Sequence, residues 1–321
     1  MAFKVLIPQD IVPEGKKYLT DRGYLIKMGS GITPDKLKQD VKDCDAILIR
    51  TAQLPREVIE AGTGLKVIGR HGVGVDNIDL KAATELGIWV TYAPESNASS
   101  VAEYALGMII ALARNFTRSD KAVRTGNWEF RNKSAAYDLA GKTLGLVGAG
   151  RVGSLVAKKA RYGLDMEVLV YDPYLKEIKG APEAKLVGDI EQIFKTADFI
   201  SLHMPATPET KGLINKKYLD LMKPTAYLIN AARGEVLNEA DLFDALKSNR
   251  ISGAGLDVFD PEPPKADNPL YGLDNVILTP HSAALTKECM MRMAQHAAMG
   301  IDDVLSGRTP KWPVNQPAKR K

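Results

Sequence analysis

Cysteine is nearly absent from this chain of 321 residues: Cys44 and Cys289 stand far apart and without metal-ligand spacing. That excludes a disulfide framework, leaves no metal site to expect, and fits a reduced, cytoplasmic setting. No run of 18 apolar residues occurs, so no membrane span and no membrane partner are expected. The opening MAFKVLIPQD lacks a basic region followed by a long apolar core. It reads as a strand, and no secretion signal is expected. Neither sign of charge is in real excess, with 43 Lys and Arg against 39 Asp and Glu. Several of the basic residues crowd into the terminal PAKRK, where a solvated, mobile tail is the expectation. So slight a balance does not suggest a nucleic-acid partner. Low-complexity segments are missing too, and 45% hydrophobic with 26% charged residues is ordinary for a soluble globular protein of about two domains.

What is present begins with an α/β rhythm. Strands are expected at Phe3–Ile7, Tyr24–Met28, Cys44–Ile49, Leu65–Gly69 and Ile88–Thr91. Helices are expected at Val12–Asp21, Pro34–Val41, Pro55–Ala61 and near Leu80–Leu86. This alternation predicts parallel pairing with helices on both faces. In PESNASSVAEYALGMIIALARN, Val101, Leu106, Ile109, Ile110 and Leu112 recur at helical spacing, and Ser99 or Ser100 is a candidate cap with Glu103 behind it. A long helix at a composition change predicts the crossing between domains. Residues Phe116–Asp138 mix arginines with Trp128 and Phe130 without clear periodicity. A dimer-forming arm is preferred there over a plain surface loop. Further strands are expected at Phe199–His203, Ala226–Asn230, Gly253–Asp257 and Val276–Leu278. Helices are expected at Lys216–Leu221 and Glu239–Lys247, and at Leu285–Leu305, which is expected to return to the first domain.

The central stretch is TLGLVGAGRVGSLVAKKARYGLDMEVLVYDP, Thr143 to Pro173. An apolar run leads into Gly148-x-Gly150-x-x-Gly153, then a helical pattern, then a second apolar run ending in Asp172. Such a βαβ unit cradles a dinucleotide. The first glycine makes the turn, the second admits the pyrophosphate, and the third lets helix and strand pack, with N–H groups at the helix start facing the anion. Asp172 lies 24 residues beyond Gly148, near the ~20 expected for the acid that accepts from the ribose hydroxyls. A carboxylate there repels a 2′-phosphate, which favours NAD over NADP.

Open parallel sheets bind ligands at the carboxyl ends of their strands. Three predicted strand ends carry groups suited to chemistry there: Asn230-Ala-Ala-Arg233-Gly234, Gly255-Leu-Asp257-Val-Phe-Asp-Pro-Glu262-Pro, and Thr279-Pro-His281. Hydride transfer at a carbon needs proton transfer at the adjoining oxygen, which suits a histidine. A carboxylate on its other ring nitrogen would fix the ring and favour the imidazolium. An arginine can hold an α-keto acid through charge-assisted bonds.

These motifs, together with GRHGVGVDNIDL and ESNASSVAEYALG, resemble the signatures of the D-isomer-specific 2-hydroxyacid dehydrogenase family over essentially the whole chain. The resemblance implies an α/β fold of two doubly wound parallel-sheet domains, with the active site in the cleft between them. A flavodoxin-like substrate domain would comprise 1–97 plus 285–321, and a Rossmann NAD-binding domain 98–284. It implies catalytic roles for Arg233, Glu262 and His281. Cofactor contacts are implied at Gly148, Gly150, Arg151, Val152, Gly153, Asp172, His203, Pro205, Ala231, Asp257 and His281, with Asp257 on the nicotinamide carboxamide. Backbone N–H groups of Val73 and Gly74 would take the substrate carboxylate beside Arg233. The small-molecule partner would be a 2-hydroxy or 2-keto acid, and the assembly a homodimer through the NAD-binding domain.

Within the family, IRTA at Ile49–Ala52 and GRHGVGVDNIDL are similar to the phosphoglycerate dehydrogenases. Arg50 then becomes a candidate for a substrate phosphate, and His71 a second group to reach substrate. No regulatory domain is expected. Hydroxypyruvate and glyoxylate reductases share the same short architecture and form the alternative. An NAD-sensing corepressor with the same fold is a further alternative of another class. His296 is expected at the surface or an interface. Ser282-Ala283-Ala284 stands where relatives commonly carry glycines, which bears on the substrate pocket more than on the cofactor.

Overall fold

The apolar runs of the amino-terminal region form β1 (Lys4–Ile7), β2 (Leu25–Met28), β3 (Ala46–Ile49), β4 (Val67–Arg70) and β5 (Trp89–Thr91) in a computed structural model that describes residues 2–178 and 180–317. All pair in parallel, in the order β2-β1-β3-β4-β5. This is the doubly wound, flavodoxin-like order. α1 (Pro13–Thr20), α2 (Pro34–Asp40), α3 (Arg56–Ala61) and α4 (Leu80–Glu85) fill the connections. Covered on both faces, β3 at the centre buries Ala46, Ile47, Leu48 and Ile49 completely. Each large side chain so buried contributes roughly 1.5–3 kcal/mol. Successive residues of β1 serve opposite cores: Val5 and Ile7 one, Leu6 the other.

The second sheet comes from β6 (Thr143–Val147), β7 (Glu167–Tyr171), β8 (Lys185–Leu186), β9 (Phe199–Leu202), β10 (Tyr227–Asn230), β11 (Gly253–Leu256) and β12 (Val276–Leu278). It is parallel throughout, in the order β12-β11-β10-β9-β6-β7-β8. The order reverses between β6 and β9, the Rossmann switch point at which ligands bind. Before this sheet come α5 (Ala98–Ala113), α6 (Phe116–Arg124) and α7 (Phe130–Lys133), and within it α8 (Arg151–Gly163), α9 (Ile190–Thr196), α10 (Lys216–Leu219) and α11 (Glu239–Lys247). α5 packs on α8, with Ala102, Ala105 and Ile109 in one core with Val156, Ala157 and Ala160. Last comes α12 (Lys287–Leu305), which packs on α1 and the first sheet through Ala294, Ala297, Ala298 and Ile301.

The chain thus divides into two units. One comprises the residues up to Asn97 and those from Ala284 onward, the other Ala98–Ala283. Some local structure differs from the sequence reading. Ser99 and Ser100 lie inside α5 rather than capping it, and the Ser99 hydroxyl bonds Glu103 at 2.8 Å. The sequence reading assigns no element to Ile190–Thr196, yet Ile190, Ile193 and Phe194 line one face of α9 and Asp189 caps it. Two turns are too short for periodicity to stand out. Phe116–Arg124 is helical although it reads as irregular, because Ala122 alone of its nine residues is buried. The basic terminal tail from Ala318 on lies outside the described residues. No helix among the described residues is long and apolar enough to cross a membrane.

Candidate active site

Parallel strands deliver their following loops to one edge of a sheet. In the second unit that edge collects Gly148 after β6, Asp172 after β7, His203 after β9, Arg233 after β10, Asp257 after β11 and His281 after β12. At the switch point each glycine has its own physical reason. Gly148 has φ +92°, and a Cβ on Gly153 would lie 2.3 Å from the Gly148 carbonyl oxygen. Gly150 faces open space, with nothing within 4 Å of such a Cβ. α8 starts there without a side-chain cap. The N–H groups of Val152 and Gly153 meet no acceptor among the described residues. Unused donors at a helix start, beside an open glycine, fit a pyrophosphate.

Asp172 is held in place by its own loop: Oδ2 accepts from Ala149 N–H at 2.9 Å and Oδ1 from Tyr174 N–H at 3.0 Å. Each oxygen keeps a lone pair for a ribose hydroxyl. Beside it an open cavity of about 440 Å³ is lined by Tyr171, Asp172, Pro173, Leu186 and Val187. The residues present therefore fit a dinucleotide without a 2′-phosphate. His203 follows β9 with Nε2 3.0 Å from Ser201 Oγ. Burial pushes its pKa down to about 4, so it is neutral near pH 7. Arg151 opens α8, Pro205 is exposed beyond His203, and Ala231 is buried beside Asn230.

The proton-transfer group and its partner meet directly. His281 Nδ1 is 2.7 Å from Glu262 Oε2. Burial acts to raise the Glu262 pKa, but the His281 bond and charge, the Phe259 N–H and Arg233 outweigh it and hold the carboxyl below its ordinary value. Nδ1–H donating to a carboxylate leaves Nε2 as the ring's open nitrogen, the arrangement a general acid–base histidine needs. Arg233 ends a turn shaped by the buried Asn230, whose Oδ1 accepts from Ala232 N–H at 3.1 Å and whose Nδ2 donates to Arg233 O at 2.8 Å. Arg233 is near enough to Glu262 for its charge to act there.

Asp257, which follows β11, ties its strand end to the loop of His281. Its side chain is fully buried and bonded to the His281 loop. Oδ1 accepts from Thr279 Oγ1 at 2.7 Å and Ser282 N–H at 2.8 Å, and Oδ2 accepts from Ala283 N–H at 2.9 Å. The His281 N–H donates to the Asp257 carbonyl at 2.7 Å. The Tyr104 hydroxyl, on α5, lies 3.0 Å from Ser282 Oγ. This clamp keeps His281 in its left-handed conformation, φ +48°. The sequence reading names Thr279 and Ser282 without giving either this role, and it does not single out Tyr104. Thr279 opens the TPH motif and Ser282 follows it; Tyr104 carries no such signal.

The remaining candidates belong to the first unit. In the loop after β4, Arg70 Nε donates to Gly74 O at 2.7 Å and its guanidinium also bonds the His71 carbonyl. The N–H groups of Val73 and Gly74 meet no acceptor among the described residues. Arg50 follows β3 and donates to the Asp10 carbonyl at 2.9 Å. Its loop is pinned by Gln9, which accepts from the N–H groups of Thr51 and Ala52 at 2.9 Å. His71 is 4% exposed, and its Nε2 meets no hydrogen-bond partner among the described residues. Burial first, then the charge of Arg50, pushes its pKa down to about 4. His71 is therefore neutral near pH 7. His296 is half-buried against Trp312, with ring centroids 4.3 Å apart, rather than on the surface. No group of three or more metal-ligating side chains exists among the described residues.

A Rossmann sheet with a glycine cradle, a ribose acid and a histidine–carboxylate pair along one edge is that of the nucleotide-dependent dehydrogenases as a class. Residues 106–283 match the NAD-binding domain of the D-isomer specific 2-hydroxyacid dehydrogenases, and the chain belongs to this family. It is 42% identical over 316 residues to a D-3-phosphoglycerate dehydrogenase of Methanocaldococcus jannaschii, covering 98% of this chain and 60% of that one. Similarity to a glyoxylate reductase of Korarchaeum cryptofilum is 37% over 98% of this chain and 96% of the relative. A solved protein from Thermus thermophilus superposes with a TM-score of 0.89 at 35% identity, covering 98% of this chain and all of that one. The chain spans about 60% of the length of the phosphoglycerate dehydrogenases of Methanocaldococcus and Archaeoglobus that it resembles.

Proposed function

We propose that this chain is an NAD-dependent dehydrogenase of D-2-hydroxy acids, with D-3-phosphoglycerate its preferred substrate. The observation that carries the reading is the 2.7 Å contact between His281 Nδ1 and Glu262 Oε2 at the edge that also holds the glycine cradle. NAD, held by Gly148–Gly153 and Asp172, supplies hydride chemistry when bound. His281 moves the proton at Nε2, taking it from the substrate hydroxyl in oxidation and returning it in reduction. Glu262 fixes the tautomer and stabilises the imidazolium. Arg233 orients the substrate carboxylate through charge-assisted bonds. Arg50 meets the phosphate. The phosphorylated substrate is supported by the Methanocaldococcus relative. A second reading, reduction of glyoxylate or hydroxypyruvate, is favoured by the match to nearly the full length of a glyoxylate reductase.

The same proposal includes a cytoplasmic setting, which the absence of a disulfide supports. It also includes a homodimer built on the stretch from Phe116 to Asp138. Support for the dimer comes from Phe116 and Trp128, 56% and 63% exposed, with Arg131 set over the Trp128 ring. The test is NADH oxidation with phosphohydroxypyruvate, hydroxypyruvate, glyoxylate, pyruvate and a branched keto acid, for wild type and His281→Ala. Preference for the phosphorylated acid is expected, with turnover falling about 10²–10⁴-fold in the variant and NADH affinity changed far less. Preference for an unphosphorylated acid favours the reductase reading. Wild-type turnover in His281→Ala removes the assignment, and no turnover on any acid leaves an NAD-sensing role.

A further inference from the structure

We infer that Glu239, at the start of α11, is a positioning residue that sets Glu262 against His281. The inference rests on the reading of His281 as the proton-transfer group. Glu262 uses both oxygens: Oε2 meets His281 Nδ1, while Oε1 accepts from the N–H of Phe259 at 3.1 Å. Its placement is therefore only as firm as the loop from Phe259 to Glu262. The next N–H of that loop, on Asp260, donates to Glu239 Oε1 at 2.8 Å. Two carboxylates thus share two successive N–H groups, one from inside the loop and one from a helix.

Glu239 is suited to this by its anchorage. It opens α11, whose first turn is tied down by Asn238 Oδ1 accepting from Ala240 and Asp241 N–H at 3.1 Å each. A carboxylate at a helix start is also favourably placed in the helix field. Its second oxygen, Oε2, accepts from Asn268 Nδ2 at 3.1 Å. Asn268 cannot turn its amide over without loss, because its Oδ1 accepts from Leu270 N–H at 3.0 Å. The turn carrying Arg233 closes on the same loop: a Cβ on Gly234 would lie 2.0 Å from the Phe259 carbonyl carbon. The loop that carries Glu262 therefore rests on the arginine turn and hangs from Glu239.

This chain of bonds has a direction, and the direction supplies the test. Glu239 faces two donors, and two acceptor oxygens match them. A glutamine in its place offers one acceptor and one donor, so a donor then faces a donor. An aspartate in place of Asn268 alone sets carboxylate against carboxylate. Combined, Glu239→Gln and Asn268→Asp restore every bond. The introduced amide accepts from the Asp260 N–H and donates to the introduced carboxylate, which still accepts from the Leu270 N–H. A residue needed merely for bulk would show no such reciprocity.

The experiment uses the full chain carrying Glu239→Gln, Asn268→Asp, both, or His281→Ala. Steady-state reduction is measured with the keto acid that the wild type turns over fastest. The low-field proton NMR signal of the His281 Nδ1–H, identified by its loss in His281→Ala, is followed in parallel. Each single variant is expected to lower kcat about tenfold with KM changed less than about twofold, as for a group acting through the catalytic pair. Each is also expected to broaden the low-field signal and move the alkaline loss of reduction to lower pH, because a loosened Glu262 holds the imidazolium less well. The double variant is expected to recover all three. A single variant with wild-type kcat and an intact signal overturns the inference, as does a double variant no better than its parents. If His281→Ala turns over like wild type, or wild type turns over nothing, the functional reading is what fails, and the low-field signal then decides for or against Glu239.

Discussion

Asp172 and Ala149 are bonded directly, the Asp172 carboxylate accepting the Ala149 backbone N–H at 2.9 Å. The acid that would receive the ribose is thereby part of the glycine loop that would receive the pyrophosphate. Replacing Asp172 with Asn keeps an acceptor for Ala149 and removes the charge. The ratio of kcat/KM with NADH to that with NADPH is expected to fall roughly 10–100-fold, the range for a hydrogen bond to a charged group. An unchanged ratio would rule out the ribose contact.

Gly150 and Gly153 belong to one motif but answer to different constraints. Gly153→Ala drives a methyl against the Gly148 carbonyl oxygen, 2.3 Å from the ideal Cβ position. A loss of about 1–3 kcal/mol in unfolding stability is expected, as for other overpacking changes. Gly150→Ala meets nothing in the protein. Its thermal midpoint should match wild type while NADH affinity, followed by fluorescence quenching, falls at least about tenfold. Normal NADH binding by Gly150→Ala would mean that the open face is not where the pyrophosphate lies.

His71 links stability to pH. Its folded pKa, about 4, lies below the ordinary 6.5. The unfolded chain therefore binds the proton first as pH falls. The contribution is complete above about pH 6.5 and is lost progressively down to about pH 4, up to roughly 3 kcal/mol. His203, also lowered to about 4, adds a loss of the same sign in the second unit. Denaturant unfolding at about pH 7.5 and about pH 4.5, either side of most of that window, should show a smaller acid loss for His71→Gln than for wild type. Equal losses would mean that His71 is not neutral in the folded chain.

The stretch from Phe116 to Asp138 offers a separable test of assembly. Phe116 and Val123 on α6, with Trp128 beyond it, are all more than half exposed. Light scattering should give twice the chain mass for wild type and the single mass for a Phe116→Asp, Trp128→Asp variant. A wild-type monomer, or a variant that stays dimeric, removes this surface as the interface.

The sequence by itself determined most of the succession of strands and helices along the chain, though not α6, α7 or β8, and it determined the spaced glycines, Asp172, and the residues that follow three strands. These are local signals, because a buried parallel strand needs a continuous apolar run and a pyrophosphate turn needs glycine at fixed positions. Helix α9 escaped that reading, since two turns carry too few residues to display a period. Tertiary structure decided how the groups meet and which unmarked residues join them. Glu262 and His281, which the family resemblance pairs, lie 19 residues apart in the chain and 2.7 Å apart in space. Asp257 accepts from Thr279, Ser282 and Ala283, bonds that its motif does not mark. Glu239 bears no motif that marks it, yet it bonds the loop of Glu262. Hydrogen-bond partnership between side chains distant in sequence depends on angles and distances that only packing fixes, so residue type names the candidates and the fold assigns their partners.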